Sequence, residues 1–198
     1  MASEIVKTKV KKSTKKNFYE VKSPSLTATK IFLYGSSPEE LEGKTVKIDL
    51  TKNLRGKSLV LKLRVKSKEE ILEAELESID LAISYIRRVM RKGTDYAEDS
   101  FEIDCRDCSA RIKYLLVTRR KVSRTILNSL RQTAKKHLVS YIKTRDAEEI
   151  FSEIISNKLQ KNLAQKLKKI YPLALCEIRV FTVLKKTNRK PKEEIKEN

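Results

Sequence analysis

The chain has 198 residues, 39% of them hydrophobic and 36% charged, a composition that allows one modest core and excludes a large one. Lys and Arg number 45 against 26 Asp and Glu, and the formal net charge of +19 indicates a polyanionic partner, either nucleic acid or an anionic membrane. The sequence lacks a secretory signal and any run of about eighteen apolar residues, and its three cysteines suit a reducing compartment. We therefore expect a soluble intracellular protein.

The two ends of the chain differ in composition from its centre. Residues 1–16 are rich in lysine and almost free of apolar side chains, so they are predicted to form a disordered basic arm that binds RNA. Its candidate contacts are Lys11, Lys12, Lys15 and Lys16. Residues 185–198 are predicted to be a charged, disordered tail, and residues 17–184 a single α+β domain.

The first half of the domain is predicted to be mostly extended. Apolar and polar residues alternate in a way that predicts strands over 17–21, 28–34, 45–50 and 58–65. Residues 68–91 lack Pro and Gly and would suit one long helix, but the phase of their apolar residues changes near Ser78. We therefore predict an extended piece over 70–77 and a helix over 80–92, with Ser78 or Asp80 as its cap and Gly93 as its stop.

The second half is predicted to add a hairpin, a helical block and a final strand. The hairpin comprises strands over 100–105 and 108–118, joined by a tight turn at 106–107. A helix capped by Ser123 follows, and its apolar residues recur at helical spacing, at Ile126, Leu130, Ala134, Leu138 and Tyr141. Helices over 147–156, capped by Asp146, and 158–170 precede a strand over 175–184. This order predicts an α+β fold with an antiparallel sheet or barrel.

Catalytic and metal sites have little support in the sequence. The single histidine, His137, lies among lysines with no nucleophile or carboxylate at a suitable spacing, and the four glycines are too scattered for a phosphate-binding loop. Cys105 and Cys108 form a CxxC, which is half of a zinc-ribbon site. The alternative to two small strand-end residues is a zinc site completed by Cys176 and His137. We predict no enzyme activity, no cofactor and no metal.

Clusters of cations carry the functional signal, because the planar guanidinium of arginine matches phosphate. The candidate RNA-binding residues of the domain are Arg87, Arg88, Arg91, Lys92, Arg119, Arg120, Lys121, Arg124, Arg131, Lys135 and Lys169. Tyr and Phe fall mostly at positions phased toward the core. That placement favours recognition of the backbone and shape of folded RNA over stacking on single strands. A membrane-surface binder is disfavoured, since no helix combines a wide apolar face with aromatic anchors.

Five motifs occur in an order that resembles a known family. Residues 15–26, KKNFYEVKSPSL, are similar to an opening of the type KKWYxVxAPxxF, and 41–50, LEGKTVKIDL, to the strand that follows. YIRRVMRKG at 85–93 resembles a YLRSLVRRR helix. VTRR at 117–120 and IYPL with EIR between 170 and 179 resemble a T-x-R-R junction and an IYPL…VEIR ending. The chain thus resembles, over about residues 15–184, the small-subunit ribosomal protein family called S-one-e, or S-three-a in animals.

The resemblance implies a structural constituent of the small ribosomal subunit with a β-barrel-like core and helices packed on it. It implies rRNA binding on the platform, near the 3′ end of the rRNA and the mRNA exit, and neighbours among platform proteins, with mRNA and initiation factors as further contacts. It places Arg119 and Arg120 at a recurrent arginine pair. The location would be cytoplasmic ribosomes, with assembly in the nucleolus if the chain is eukaryotic.

The chain departs from the family pattern in three places. Phe18 stands where the family usually has Trp, Cys105–Cys108 replace a T-x-D-G turn, and the long C-terminal extension of animal and plant members is absent. Both an archaeal and a reduced eukaryotic lineage suit these departures. The functional alternative is a free basic RNA-binding or ribosome-biogenesis factor.

Overall fold

The computed structural model describes residues 15–24, 26, 29–52, 54, 56–68 and 71–186. The strands in this part of the chain are β1 Asn17–Lys22, β2 Ile31–Gly35, β3 Thr45–Asp49, β4 Leu59–Lys68, β5 Ile71–Leu81, β6 Tyr96–Asp104, β7 Cys108–Thr118 and β8 Leu173–Lys186. The helices are α1 Pro38–Leu41, α2 Ile83–Val89, α3 Arg124–Ile142, α4 Ala147–Ile155 and α5 Lys158–Leu167. The predicted α+β class with a mostly antiparallel sheet is confirmed.

The chain divides into two compact units, and β4 and β5 each contribute to both. The first unit covers residues 1–44 and 65–75. In it, β1 pairs antiparallel with β2 and parallel with the start of β5. Helix α1 begins after Ser37, whose hydroxyl accepts a hydrogen bond from Glu40 N–H. Gly35 at the end of β2 lies against the buried Leu41: a Cβ there would lie 2.8 Å from Leu41 Cδ2, so the leucine side chain would have to shift.

The second unit covers residues 45–64 and 76–198 and holds most of the sheet. In it, β8 lies between β5 and β7, β6 pairs with the outer edge of β7, and β3 pairs with β4. Among the described strands no pairing closes the sheet, so the predicted barrel-like closure is not observed. None of the described helices is both long and apolar enough to cross a bilayer.

Helices α3, α4 and α5 cover the sheet of the second unit. Leu130 and Leu138, on the predicted apolar stripe of α3, are fully buried. The ring of Phe151 in α4 meets that of Phe181 in β8 edge-on at 5.1 Å between centroids. The hydroxyl of Tyr114 in β7 donates a hydrogen bond of 3.0 Å to the carbonyl oxygen of Arg131 in α3. Helix α3 packs against β6 and α5 packs against β8, and the Tyr114 bond adds a link between α3 and β7.

Several predicted boundaries are wrong, and the sheet explains most of them. Ser78 and Asp80 do not cap a helix: they pair with Thr182 and Val180 of β8, so β5 continues to Leu81. Helix α2 starts only at Ile83, and it ends at Val89 rather than at Gly93. Gly93 instead adopts a φ of +86° in the loop that follows.

Two predicted caps are correctly placed but make no capping bond. Ser123 and Asp146 occupy the N-cap positions of α3 and α4, yet neither side chain binds its helix. The first N–H of α4, from Ala147, donates instead to Asp107 Oδ1 at 3.0 Å. Because Asp107 belongs to the predicted turn between β6 and β7, this bond ties the hairpin tip to the start of α4.

The structure describes only part of the predicted N-terminal arm and C-terminal tail. Residues 1–14 and 187–198 lie outside the described part of the chain, and with them Lys11, Lys12 and most of the predicted arm and tail. Lys185 and Lys186 pair with Ser109 and Cys108, so the sheet includes two residues that were assigned to the tail. The division into arm, single domain and tail stays a prediction.

Candidate nucleic-acid interface

Three connections that carry cations meet at one end of the β6–β7–β8 ladder. β6 begins at Tyr96, β7 ends at Thr118 and β8 begins at Leu173. The antiparallel register pairs Tyr96 with Val117 and Thr118 with Leu173, so these strand ends coincide. We give the name junction surface to those predicted RNA-binding residues that lie exposed in and beside these connections: Arg91, Lys92, Arg119, Arg120, Lys121, Arg124 and Lys169.

Hydrogen bonds between Thr118 and Asp95 hold the centre of the junction surface. Thr118 N–H donates to Asp95 C=O at 2.9 Å, and Asp95 N–H donates to Thr118 Oγ1 at 3.1 Å. The Thr118 hydroxyl lies 2.7 Å from Arg120 C=O, and Val122 N–H donates to Asp95 Oδ2 at 2.8 Å. The backbone on both sides of Arg119 is therefore anchored, while the Arg119 side chain remains exposed.

The junction cations have no carboxylate partner among the described residues, whereas other cations of the second unit do. Arg111 binds Glu102 at 2.5 Å, and Arg179 binds Glu98 at 2.9 Å. Arg145 forms an ion pair with Glu153. A lysine or arginine side chain without a carboxylate partner can bind a phosphate, and an arginine can donate two parallel N–H···O bonds to it. The junction surface therefore has the chemistry of a polyanion-binding site.

Arg131 and Lys135 continue the cationic face along α3. Both side chains are exposed, as predicted, and they lie about 10 and 16 Å from Arg124 along the helix at about 1.5 Å per residue. The ammonium of Lys135 lies 5.5 Å from the centroid of the half-buried Phe101 ring. Because Tyr114 anchors the helix at Arg131, this face is fixed relative to the junction surface.

The predicted cluster on α2 is only partly free. Arg87 and Arg88 lie in the last turn of the helix, and both are exposed. The Arg88 guanidinium already donates to Gly56 C=O at 2.8 Å and lies 5.4 Å from the centroid of the Tyr85 ring. Arg87 makes no such contact within the described residues. Of the two, Arg87 is the stronger candidate for a phosphate.

The basic residues that precede β1 belong to the first unit. Lys15 and Lys16 are exposed, and the Lys16 ammonium lies 5.7 Å from the centroid of the Tyr34 ring. Lys11 and Lys12 fall outside the described residues. The structure therefore brings seven of the predicted contacts to one end of the β6–β7–β8 ladder and adds Arg131 and Lys135 along α3, all in the second unit, whereas Lys15 and Lys16 belong to the first unit. RNA binding by each of these residues stays a prediction.

The CxxC closes the β6–β7 hairpin. Cys105 N–H donates to Cys108 C=O at 2.7 Å, and both thiols are free and buried. A side-chain hydrogen bond between Cys108 and Cys105, followed by burial, strongly raises the pKa of the Cys108 thiol. Burial raises the pKa of the Cys176 thiol to about 12. Across the described residues, no three Cys, His, Asp or Glu side chains are placed to hold a metal ion, so the four-residue zinc alternative is not assembled.

His137 is half-buried on α3 and stacks on Tyr141, with 5.8 Å between ring centroids. Its Nδ1 is buried without a hydrogen-bond partner in the described structure. Burial, and then the charge of Lys166, lower the pKa of His137 below its usual range. His137 is thus a half-buried residue that packs against Tyr141 on α3.

Sequence reasoning missed three residues at the junction surface. Asp95 and Thr118 bind no ligand themselves but set the path of the Arg119–Lys121 turn, and only the Thr of the VTRR motif hinted at this. Tyr96, beside Val117, is exposed, although aromatic residues were predicted to be mostly core-phased. That prediction is also wrong for Phe18, Phe32 and Tyr34, which are all exposed.

Comparison with known proteins gives a consistent assignment. The sequence pattern of the Ribosomal S3Ae family matches residues 4–187. A relative from Nanoarchaeum equitans, small ribosomal subunit protein eS1, is 28% identical over 150 residues, which cover 73% of this chain and 75% of the relative. The protein of the same name from Pyrobaculum islandicum is 26% identical over 191 residues, covering 92% and 85% respectively. The family pattern spans most of the chain, so the chain belongs to the Ribosomal S3Ae family.

Proposed function

We propose that this chain is a structural component of the small ribosomal subunit and binds rRNA through the junction surface. Its family consists of structural, non-enzymatic ribosomal proteins, and the similar archaeal proteins are named as small-subunit proteins. The observation that carries the proposal is the convergence, at one end of β6, β7 and β8, of seven exposed cations that have no carboxylate partner within the described part of the chain. No described group at this site suggests chemistry other than binding an anion.

Binding would proceed by neutralising phosphates and releasing the counterions condensed on the RNA. Arg119 and Arg120 lie on a backbone that is already fixed by Thr118 and Asp95, so little conformational entropy is lost when they bind. Arg124, Arg131 and Lys135 extend the contact along α3 at intervals of about 10 and 6 Å. Such a line of fixed cations suits the regular spacing of an RNA backbone and carries no base sequence information.

We further propose that the chain lies on the platform of the subunit, near the 3′ end of the rRNA and the mRNA exit. Its neighbours would be platform proteins, with mRNA and initiation factors as additional contacts. This placement follows from the resemblance of residues 15–184 to the family and from the same Arg119–Arg120 pair. Ultraviolet crosslinking within small subunits, followed by sequencing of the attached RNA, tests it. Crosslinks confined to rRNA far from the 3′ domain and platform would contradict the placement.

Sedimentation separates this function from the alternative of a free RNA-binding or biogenesis factor. A tagged full-length chain should sediment with mature small subunits and with translating ribosomes in a sucrose gradient. A free factor would stay near the top, and a biogenesis factor would occur only with immature subunits. Either of those distributions would overturn the proposed function.

A further inference from the structure

The first unit exposes an apolar face that lies outside the junction surface; among the candidate RNA contacts, Lys16 touches it, with its ammonium 5.7 Å from the centroid of the Tyr34 ring. Phe18 in β1, Phe32 and Tyr34 in β2 and Ile71 in β5 are 74, 57, 56 and 60% exposed. Phe18 pairs across the strands with Tyr34, and their ring centroids are 5.1 Å apart. We call these four residues the aromatic face.

The strand register explains why these four side chains share one side of the sheet. Successive strand residues point to opposite faces. Val21, Ile31 and Leu72 are buried, and Val21 pairs with both Ile31 and Leu72, so this set points inward. The residues that alternate with them, including the aromatic face, must then point outward. Phe18 pairs with Tyr34, and Phe32 follows on the same side of β2, so these three rings form a contiguous patch, which is a mark of an interaction site. Glu20, which pairs with Phe32, separates this patch from Ile71.

The distribution of charge indicates what this face binds. Among the described residues, the second unit has 29 Lys and Arg against 14 Asp and Glu, whereas the first unit has seven against six. On the outward side, Glu20 lies between Phe18 and Lys22, and Glu73 pairs with Lys22. The aromatic face therefore carries charges of both signs, with Glu20 beside Phe32 and the Lys22–Glu73 pair at one end. A polyanion would meet carboxylates there, whereas an apolar centre with a mixed polar rim is the usual composition of a protein–protein interface.

The edge of the sheet adds a second feature of the same kind. Strand β2 is the last in the order β2–β1–β5, and its outer edge pairs with no other described strand. Its unpaired backbone groups can accept a further strand, while Phe32 and Tyr34 offer side-chain contacts beside them. An extended protein segment can both pair its backbone with the edge of β2 and pack side chains against the rings. A nucleic acid has no peptide backbone to pair with that edge, and its phosphates would meet the carboxylates on this face.

We propose that the aromatic face and the β2 edge dock an extended, apolar segment of another protein of the small subunit. This inference rests on the proposed function in one respect: the partner is placed in the small subunit because the chain is proposed to be a component of it. The partner segment would pair its backbone with β2 and lay aliphatic or aromatic side chains against Phe18, Phe32 and Tyr34.

Site-specific photocrosslinking tests the proposal in assembled particles. A photoreactive phenylalanine is placed at 18, 32 or 34 in the full-length chain, with position 83 as the control, because Ile83 is equally exposed, at 61%, in the second unit. Small subunits are purified and irradiated, and the adducts are mapped by mass spectrometry. We expect positions 18, 32 and 34 to attach to one segment of one identified small-subunit protein, and position 83 not to attach to it.

Other outcomes contradict the docking proposal in distinct ways. Adducts that nuclease removes would show that the face stacks on RNA, and an absence of adducts in purified subunits would show that nothing docks there. If the chain does not sediment with small subunits at all, the proposed function itself fails, which is a different result. The paired variant Phe18→Ser with Phe32→Ser should reduce occupancy of the crosslinked protein at least about tenfold. Ile83→Ser should leave that occupancy unchanged, and an equal loss in both would overturn the proposal.

Discussion

Replacing Thr118 by Val tests whether the junction surface depends on the anchored turn. Valine has the same shape as threonine but cannot accept the hydrogen bond from Asp95 N–H or donate to Arg120 C=O. The Thr118 side chain is fully buried, and a buried polar group left without its partner costs about 1–3 kcal/mol. We expect the free energy of unfolding to fall by about that amount. In a chain of this size that corresponds to a drop in Tm of about 2–4 °C for each kcal/mol.

The same substitution should weaken RNA binding, although Thr118 touches no RNA in the proposed interface. Without the Thr118 hydroxyl, about one residue of the Arg119–Lys121 turn would have to be ordered when RNA binds. Ordering the backbone of one residue costs about 1–2 kcal/mol, so the variant should bind RNA about five to thirty times more weakly. Filter binding to the small-subunit rRNA and urea denaturation measure the two effects on the same protein. Thr118→Ser keeps the hydroxyl and serves as the matched control. If Thr118→Val is destabilised but binds rRNA like the wild type, the anchored turn does not position the arginines.

Three further predictions concern stability, each followed by urea denaturation. Glu177→Ala removes the carboxylate that lies 2.5 Å from the buried ammonium of Lys57, and the free energy of unfolding should fall by about 3–5 kcal/mol. Lys57→Met combined with Glu177→Leu removes both charges and should lower it far less. Equal losses of stability in the two variants would contradict a buried ion pair. Asp107→Ala should cost about 0.5–2 kcal/mol by removing the cap of α4, and Asp146→Ala, which loses no capping bond, should cost less. Because burial lowers the pKa of His137 in the folded state, its contribution to stability is complete above the unfolded pKa of about 6.5 and is lost as the pH falls toward the folded value. Wild type should thus lose stability relative to His137→Gln on acidification, and a difference that is independent of pH would contradict the burial.

The regular part of the fold was predictable because local patterns and the tertiary structure agree there. The alternation over β7 buries the residues that the periodicity indicated, and the centre of the α3 stripe, Leu130, Ala134 and Leu138, is buried as well. At the ends of that stripe Ile126 and Tyr141 are only half-buried, and Ile142 is buried in place of Tyr141. The prediction fails where a long-range contact overrides a local signal. Ser78 and Asp80 look like helix caps in isolation, but pairing with β8 keeps them in a strand. Asp107 caps a helix that starts 40 residues later, which no local pattern could show.

The sequence predicted which cationic residues belong to the candidate site, but it did not predict how they are arranged in space. Runs of Arg and Lys were evident, yet their convergence depends on Leu173 pairing with Thr118, 55 positions earlier in the chain. The aromatic face escaped prediction for a related reason. Alternating apolar residues in β1 and β2 read as a core pattern, whereas the register places Phe18, Phe32 and Tyr34 on the outward side. Periodicity shows which residues share a face, and only the packing shows which face is covered.

The salt dependence of rRNA binding tests the central claim most directly. Arg119→Gln with Arg120→Gln removes two unpaired cations, and Arg111→Gln with Arg179→Gln removes the same charge from residues that already bind Glu102 and Glu98. Each lost phosphate contact should reduce the slope of log K against log salt by about 0.7 to 0.9. We predict a slope reduced by about 1.4 to 1.8 for the junction variant and nearly unchanged for the control. Equal reductions in both variants would show that net charge alone binds the RNA, and would contradict a junction surface that grips phosphates.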